Sequence, residues 1–176
     1  TRGLPVTIEF RVVPVVFEGP GQHGDFVWMR AQPEYANALF VFNDNEEQFV
    51  AFERGQPEGV SPGGGNAGVR PWRGENPPRS AGIPTGRRGR GYGSLDAKVT
   101  EVLGRAFAEI QALVDSGRYD TMVFSRDARL EALGASIFAP DPLIRQLVYR
   151  ALVRVKPGHP SPWSDSTPGG TGVTHP

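Results

Sequence analysis

The run Ala38-Leu39-Phe40-Val41-Phe42 has no polar position, and it stops abruptly at Asn43-Asp44-Asn45. A short strand without alternation has to be covered on both faces, as the central strands of layered α/β proteins are. Its neighbours follow other periods. Residues 5–17 alternate at Thr7, Ile8, Glu9, Phe10 and Arg11, which reads as a strand with one wet face, broken or placed at an edge by Pro14. Residues 25–30 (DFVWMR) read as a short second strand. Residues 46–53 suit a short helix opened by Asp44 or Asn45.

A broad apolar face from Leu95 through Val99, Val102, Leu103, Ala106, Phe107 and Ile110 to Val114 predicts a long helix, capped by Ser94 and ended by Gly117. Tyr119–Phe124 then reads as a strand. Asp141-Pro142 opens a last helix that buries Ile144, Leu147, Val148, Ala151 and Leu152. Strand, helix, strand is a crossover and gives the sheet a parallel part, while the early strands are expected to pair antiparallel. The expected fold is an α/β three-layer sandwich with a mixed, partly parallel central sheet.

One domain is expected over residues 1–156, with a Pro/Gly-rich flexible tail at 157–176 that carries His159 and His175. Inside the domain, residues 54–93 hold twelve glycines, six prolines and seven arginines against two acids. A structureless loop of that length is uncommon in a compact domain, so the segment is expected to carry function.

Several chemistries are excluded. The chain has no cysteine, which removes disulfides, thiolate nucleophiles and cysteine-ligated zinc. No apolar stretch approaches the about 18 residues of a membrane span, so no membrane partner and a cytoplasmic location are expected. Nineteen basic and nineteen acidic side chains cancel, which argues against a globally basic nucleic-acid wrapper. No zinc-protease, P-loop, nucleophile-elbow or dinucleotide fingerprint is present, and no cofactor is expected.

Three groups remain as site candidates. Asn43-Asp44-Asn45-Glu46 sits at the carboxyl end of the central strand, where open α/β sheets bind ligands. Gly63-Gly64-Gly65-Asn66-Ala67 can bring backbone N–H groups to an anion. The same two segments serve equally as a helix cap and a mobile turn, and spacing alone does not separate these uses. Ala81-Gly82-Ile83-Pro84-Thr85-Gly86 resembles a strand end entering a tight loop, with Thr85 as an anion donor or merely a turn residue. Arg70, Arg73, Arg79, Arg87, Arg88 and Arg90, interleaved with Trp72 and Tyr92, suit either a nucleic-acid surface or the rim of a nucleotide pocket.

In order, ALFVFNDNEEQF, PGGGNAGVRPWR and NPPRSAGIPTG resemble a poorly characterised family of small phage and bacterial proteins, over roughly residues 33–153. The pattern is also distantly similar to macro domains, the ADP-ribose-binding α/β modules. That resemblance implies that Asn43 and Asn45 line a ribose and that Gly63, Gly64 and Gly65 approach the diphosphate or ribose. It further implies an ADP-ribose or related nucleotide ligand; apart from the resemblance, Asn66, Arg70 and Thr85 are expected to join the ligand-binding set. Hydrolysis of an ADP-ribosyl linkage would then use Asn45 or Asp44 to orient water. The chain departs from the macro pattern in the longer gap between Asn45 and Gly63. It departs again after Phe124, where only Gly134 remains of a second glycine-rich loop. The other expectation is a non-enzymatic module that contacts nucleic acid or protein through the arginines.

Overall fold

The computed structural model describes residues 3, 9–129, 131–135 and 139–163. Four strands, β1 (Arg11–Val15), β2 (Ala38–Asp44), β3 (Ser80–Pro84) and β6 (Thr121–Ser125), form one sheet in the order β1-β6-β2-β3. Every pairing in it is parallel. The expected mixed sheet is therefore corrected. Antiparallel pairing among the described residues lies outside this sheet, in a separate hairpin of β4 (Gly86–Arg87) and β5 (Arg90–Gly91) and in an isolated bridge between Arg126 and Leu133. Parallel neighbours need crossovers, and each connection in this chain contains helical turns. Helix α1 (Phe26–Arg30) joins β1 to β2, α2 (Glu46–Glu53) follows β2, and α3 (Ala97–Asp115) leads into β6. Helix α4 (Pro142–Val153) follows β6.

Residue parity along the strands sorts the core into two layers. Ala38, Phe40, Phe42 and Val123 pack with Phe26, Met29, Tyr35 and Val69 on one face. Leu39, Val41, Ala81, Ile83, Met122 and Phe124 pack with α3 and α4 on the other. The unbroken apolar run of β2 is thus covered on both sides, as the absence of alternation requires. Pro14 falls within β1, and β1 is an edge strand, where a missing N–H breaks no ladder on the open side. The alternation at Thr7 and Ile8 lies outside the described residues.

Three further local expectations are corrected. Residues 25–30 form a helix, because Asp25 accepts from the Val27 N–H at 3.1 Å as an N-cap while Phe26 and Met29 bury one turn apart. The cap of α3 is Asp96, which accepts from the Val99 N–H at 2.9 Å, and Ser94 lies outside the helix. The window 54–93 holds two 3-10 segments, Pro57–Val60 and Gly65–Gly74, then β3 and the hairpin. Short-range turns accommodate its glycines and prolines without an α-helix.

The segment after α4 is docked at its start. Trp163 stacks on Phe107 of α3 at 5.3 Å and donates from Nε1 to the Thr100 carbonyl at 3.1 Å. The Gly158 N–H donates to Asp115 Oδ1 at 2.7 Å. Residues 157–163 are therefore part of the packed body rather than a free tail, and 164–176 lie outside the described residues.

Candidate functional site

At the carboxyl end of β2, Asp44 faces the layer that contains Arg70. Arg70 donates from Nε at 2.9 Å and Nη2 at 2.8 Å to Asp44 Oδ1, and the Asn45 N–H donates to the same oxygen at 2.9 Å. The two side chains are 0% and 3% exposed. Arg70 also donates from Nη1 to the Ser61 carbonyl at 2.7 Å, which ties the glycine segment to the sheet. Asp44 Oδ2 is buried without a partner among the described residues, against Gly82, where an added methyl would approach within 3.0 Å of it. Burial raises the Asp44 pKa above the usual carboxylate value, outweighing the attraction of Arg70.

The neighbours expected to touch ligand are committed to the frame. Asn45 is the N-cap of α2, accepting from the Gln48 N–H at 2.9 Å. Thr85 donates from its N–H at 2.9 Å and its hydroxyl at 3.1 Å to the Asp44 carbonyl. Asp44, Asn45 and Thr85 thus hold the ends of β2 and β3 together. None of the three presents an open polar group to a ligand at this edge.

The glycine segment lies elsewhere on the same edge. Asn66 accepts from the Phe26 N–H at 3.0 Å and donates from Nδ2 to the Gly24 carbonyl at 2.9 Å and to Ser125 Oγ at 3.0 Å. It bridges the β1–α1 loop, the end of β6 and the glycine segment. Gly63 packs inward, where a methyl would meet the Ala67 methyl at 2.9 Å and Arg70 Nη1 at 3.0 Å. Gly64 faces open space, and Gly65 is in the left-handed region at φ +55°. Beside Gly65 stands Phe17, 40% exposed, its ring 3.8 Å from where a Gly65 methyl would lie. Asn43 points to the opposite face and donates to the Gly134 carbonyl at 2.6 Å.

This rim coincides with a switch in topology. The chain leaves β1 toward α1 on one face, and its neighbour β6 is followed by α4 on the other. Open α/β sheets commonly bind ligands outside the strand ends at such a divergence. Phe17, Gly64, Gly65, Asn66 and Ser125 gather there. Sequence reasoning found the glycines and Asn66 but passed over Phe17 and Ser125. Their only signal was a position just beyond, or at the end of, an apolar strand.

The six arginines divide in half. Arg70 is internal, and Arg73 is sandwiched with its Cζ 4.4 Å from the Phe49 ring and 3.9 Å from the Phe52 ring while Nε donates to Glu109 at 2.9 Å. Arg79 donates to the Ala38 carbonyl at 3.0 Å and the Tyr35 carbonyl at 3.1 Å, and burial lowers its pKa. Arg79 and Arg87 are half-buried, and of the six only Arg88 and Arg90, on the hairpin, are exposed. Arg87 lies over Tyr92 and within 3.6 Å of Glu46. The Tyr92 hydroxyl donates to Glu46 Oε1 at 3.0 Å, and burial drives its pKa far upward. A continuous six-arginine surface does not form.

No helix among the described residues is long and apolar enough to cross a membrane. Compared with protein-family models, curated proteins and solved structures, the chain matches none, so the reading of this edge rests on its own geometry.

Proposed function

We propose that the crevice between β1 and β6 binds a nucleotide of the ADP-ribose class. The observation that carries this reading is the glycine segment. Asn66 pins it to both flanking elements, while Gly64 and Gly65 keep backbone and open space at a topological switch point. In this reading the exposed backbone at Gly64 and Gly65 meets the diphosphate, and the half-exposed Phe17 ring meets the base. Stacking of that kind contributes about 1–3 kcal/mol per base.

No catalytic step is assigned. Orientation of water by Asp44 or Asn45 would first require release of the Arg70 pair or the α2 cap. Binding is thus the activity that the geometry favours over hydrolysis. A nucleic-acid surface is disfavoured because Arg70, Arg73 and Arg79 are spent inside the molecule.

Calorimetry with ADP-ribose, AMP and a short single-stranded DNA tests the proposal. Saturable binding of ADP-ribose is expected, and Gly64→Trp should weaken it by about tenfold or more, the equivalent of 1.4 kcal/mol, without lowering Tm. Open space at Gly64 lets the indole enter the crevice without disturbing the fold. No heat with ADP-ribose, or heat unchanged by Gly64→Trp, overturns it.

A further inference from the structure

The β4–β5 hairpin carries a separate feature. Between it and the start of α3 lies a concavity of about 290 Å³ lined by Arg87, Arg88, Arg90, Tyr92, Ser94 and Asp96, among others. Arg87 is engaged at its flank, 3.6 Å from Glu46 and 3.9 Å from Asp96. The exposed guanidinium groups of Arg88 and Arg90 make no hydrogen bond or ion pair with any described residue.

The hairpin tip is built at a cost. Arg88 has φ +52° and Gly89 φ +72°, so both central residues of the turn are left-handed. Asn-Gly is the usual solution for such a turn, because asparagine tolerates this conformation and arginine does so poorly. Here the Arg88 N–H is held by Glu47 Oε1 at 2.6 Å. An arginine forced into a turn position that another residue fills more easily, with its charge left unpaired, suggests selection for the charge.

We propose that this concavity is a binding site for a phosphomonoester dianion, clamped by Arg88 and Arg90. It is independent of the crevice between β1 and β6. Two guanidinium forks match the several oxygens of one phosphate. The site favours a compact dianion over a polynucleotide because Glu46, Glu47 and Asp96 flank the arginines. An extended phosphate backbone leaving the clamp would meet those carboxylates, whereas a single phosphate ends before it reaches them.

Amide NMR of the full chain, at constant ionic strength set with chloride, tests this with inorganic phosphate, glycerol 2-phosphate and a short oligothymidylate. Saturable shifts at Gly89, Arg90, Gly91 and Ser94 are expected with the first two. Arg90→Gln should weaken both by about tenfold, the loss of one charge-assisted contact. Arg88→Asn should weaken them similarly while holding or raising Tm, because asparagine relieves the turn. Gly64→Trp should leave the shifts unchanged. Three results overturn the proposal: no saturable shift with phosphate, shifts that survive both arginine substitutions, or shifts abolished by Gly64→Trp. Oligothymidylate saturating at much lower concentration than phosphate, with steep salt dependence, assigns the hairpin to nucleic acid and overturns it as well.

Discussion

Asp44 shows how one side chain can look like chemistry and act as a fastener. A carboxylate at a central strand end is where a general base would be sought, yet Arg70 encloses it and burial penalises its charge. Arg70→Met should therefore destabilise the protein by about 3–5 kcal/mol, because the carboxylate is left buried and alone. Adding Asp44→Asn should recover part of the loss, read as a denaturation midpoint closer to wild type. Asn45→Ala should cost about 1 kcal/mol through the α2 cap and leave ADP-ribose binding unaffected. Asparagine, aspartate and threonine at strand ends use the same atoms to cap backbone as to hold ligand. The sequence could therefore locate these residues but not separate the two uses. The arginines were ambiguous for a related reason: Arg73 reads as surface charge until Phe49, Phe52 and Glu109 are brought around it by elements far apart in the chain.

Elements were legible in proportion to their length and caps. β2, α2, α3 and α4 follow from an apolar run, from eight apolar positions on one helical face, or from Asn45 and Asp141 as caps. α1 was missed because five residues cannot establish a helical period, although Asp25 signalled its start. Strand direction was not legible for β1, whose partner is set by a strand late in the chain. Just after the 3-10 segment Gly65–Gly74, Glu75 forms a two-pronged pair with Arg30 of α1 at 2.7 and 2.8 Å, and Arg30 lies 4.4 Å from the Trp72 ring. This pair lowers the Glu75 pKa below its ordinary value of 4.5. Its contribution is fully present above that value and is lost as pH falls through the lowered native one. Glu75→Gln should thus cost below about 1 kcal/mol at neutral pH, as befits a part-exposed pair, and nothing once the wild-type carboxyl is protonated. Urea denaturation of both proteins across the acid range reads the closing gap. At the other end of the chain, Trp163→Ala should cost about 3 kcal/mol, seen as a fall in Tm, since it removes the ring stacked on Phe107.

For the molecule as a whole, charge neutrality conceals a division of labour. Equal numbers of acids and bases give no net charge, and the pairs Arg70–Asp44, Arg73–Glu109 and Arg145–Asp127 bind layers together. Of the exposed arginines in the arginine-rich window, Arg88 and Arg90 share one small hairpin, while Arg54 follows α2. The sheet order has a different consequence, one of timing. Strand β6 lies between β1 and β2, and Arg11 of β1 and its partner Thr121 of β6 are 110 residues apart. Until residues 121–125 leave the ribosome, the most apolar strand of the protein has an unpaired edge and β1 has no neighbour in the sheet. Late, long-range pairing of this kind slows folding and exposes strand edges to other chains. Nascent chains halted before Thr121 should accordingly aggregate or recruit holding chaperones, and those released past α4 should not. The last strand among the described residues is the keystone of the sheet, so a copy truncated before it is a hazard rather than a smaller version of the protein.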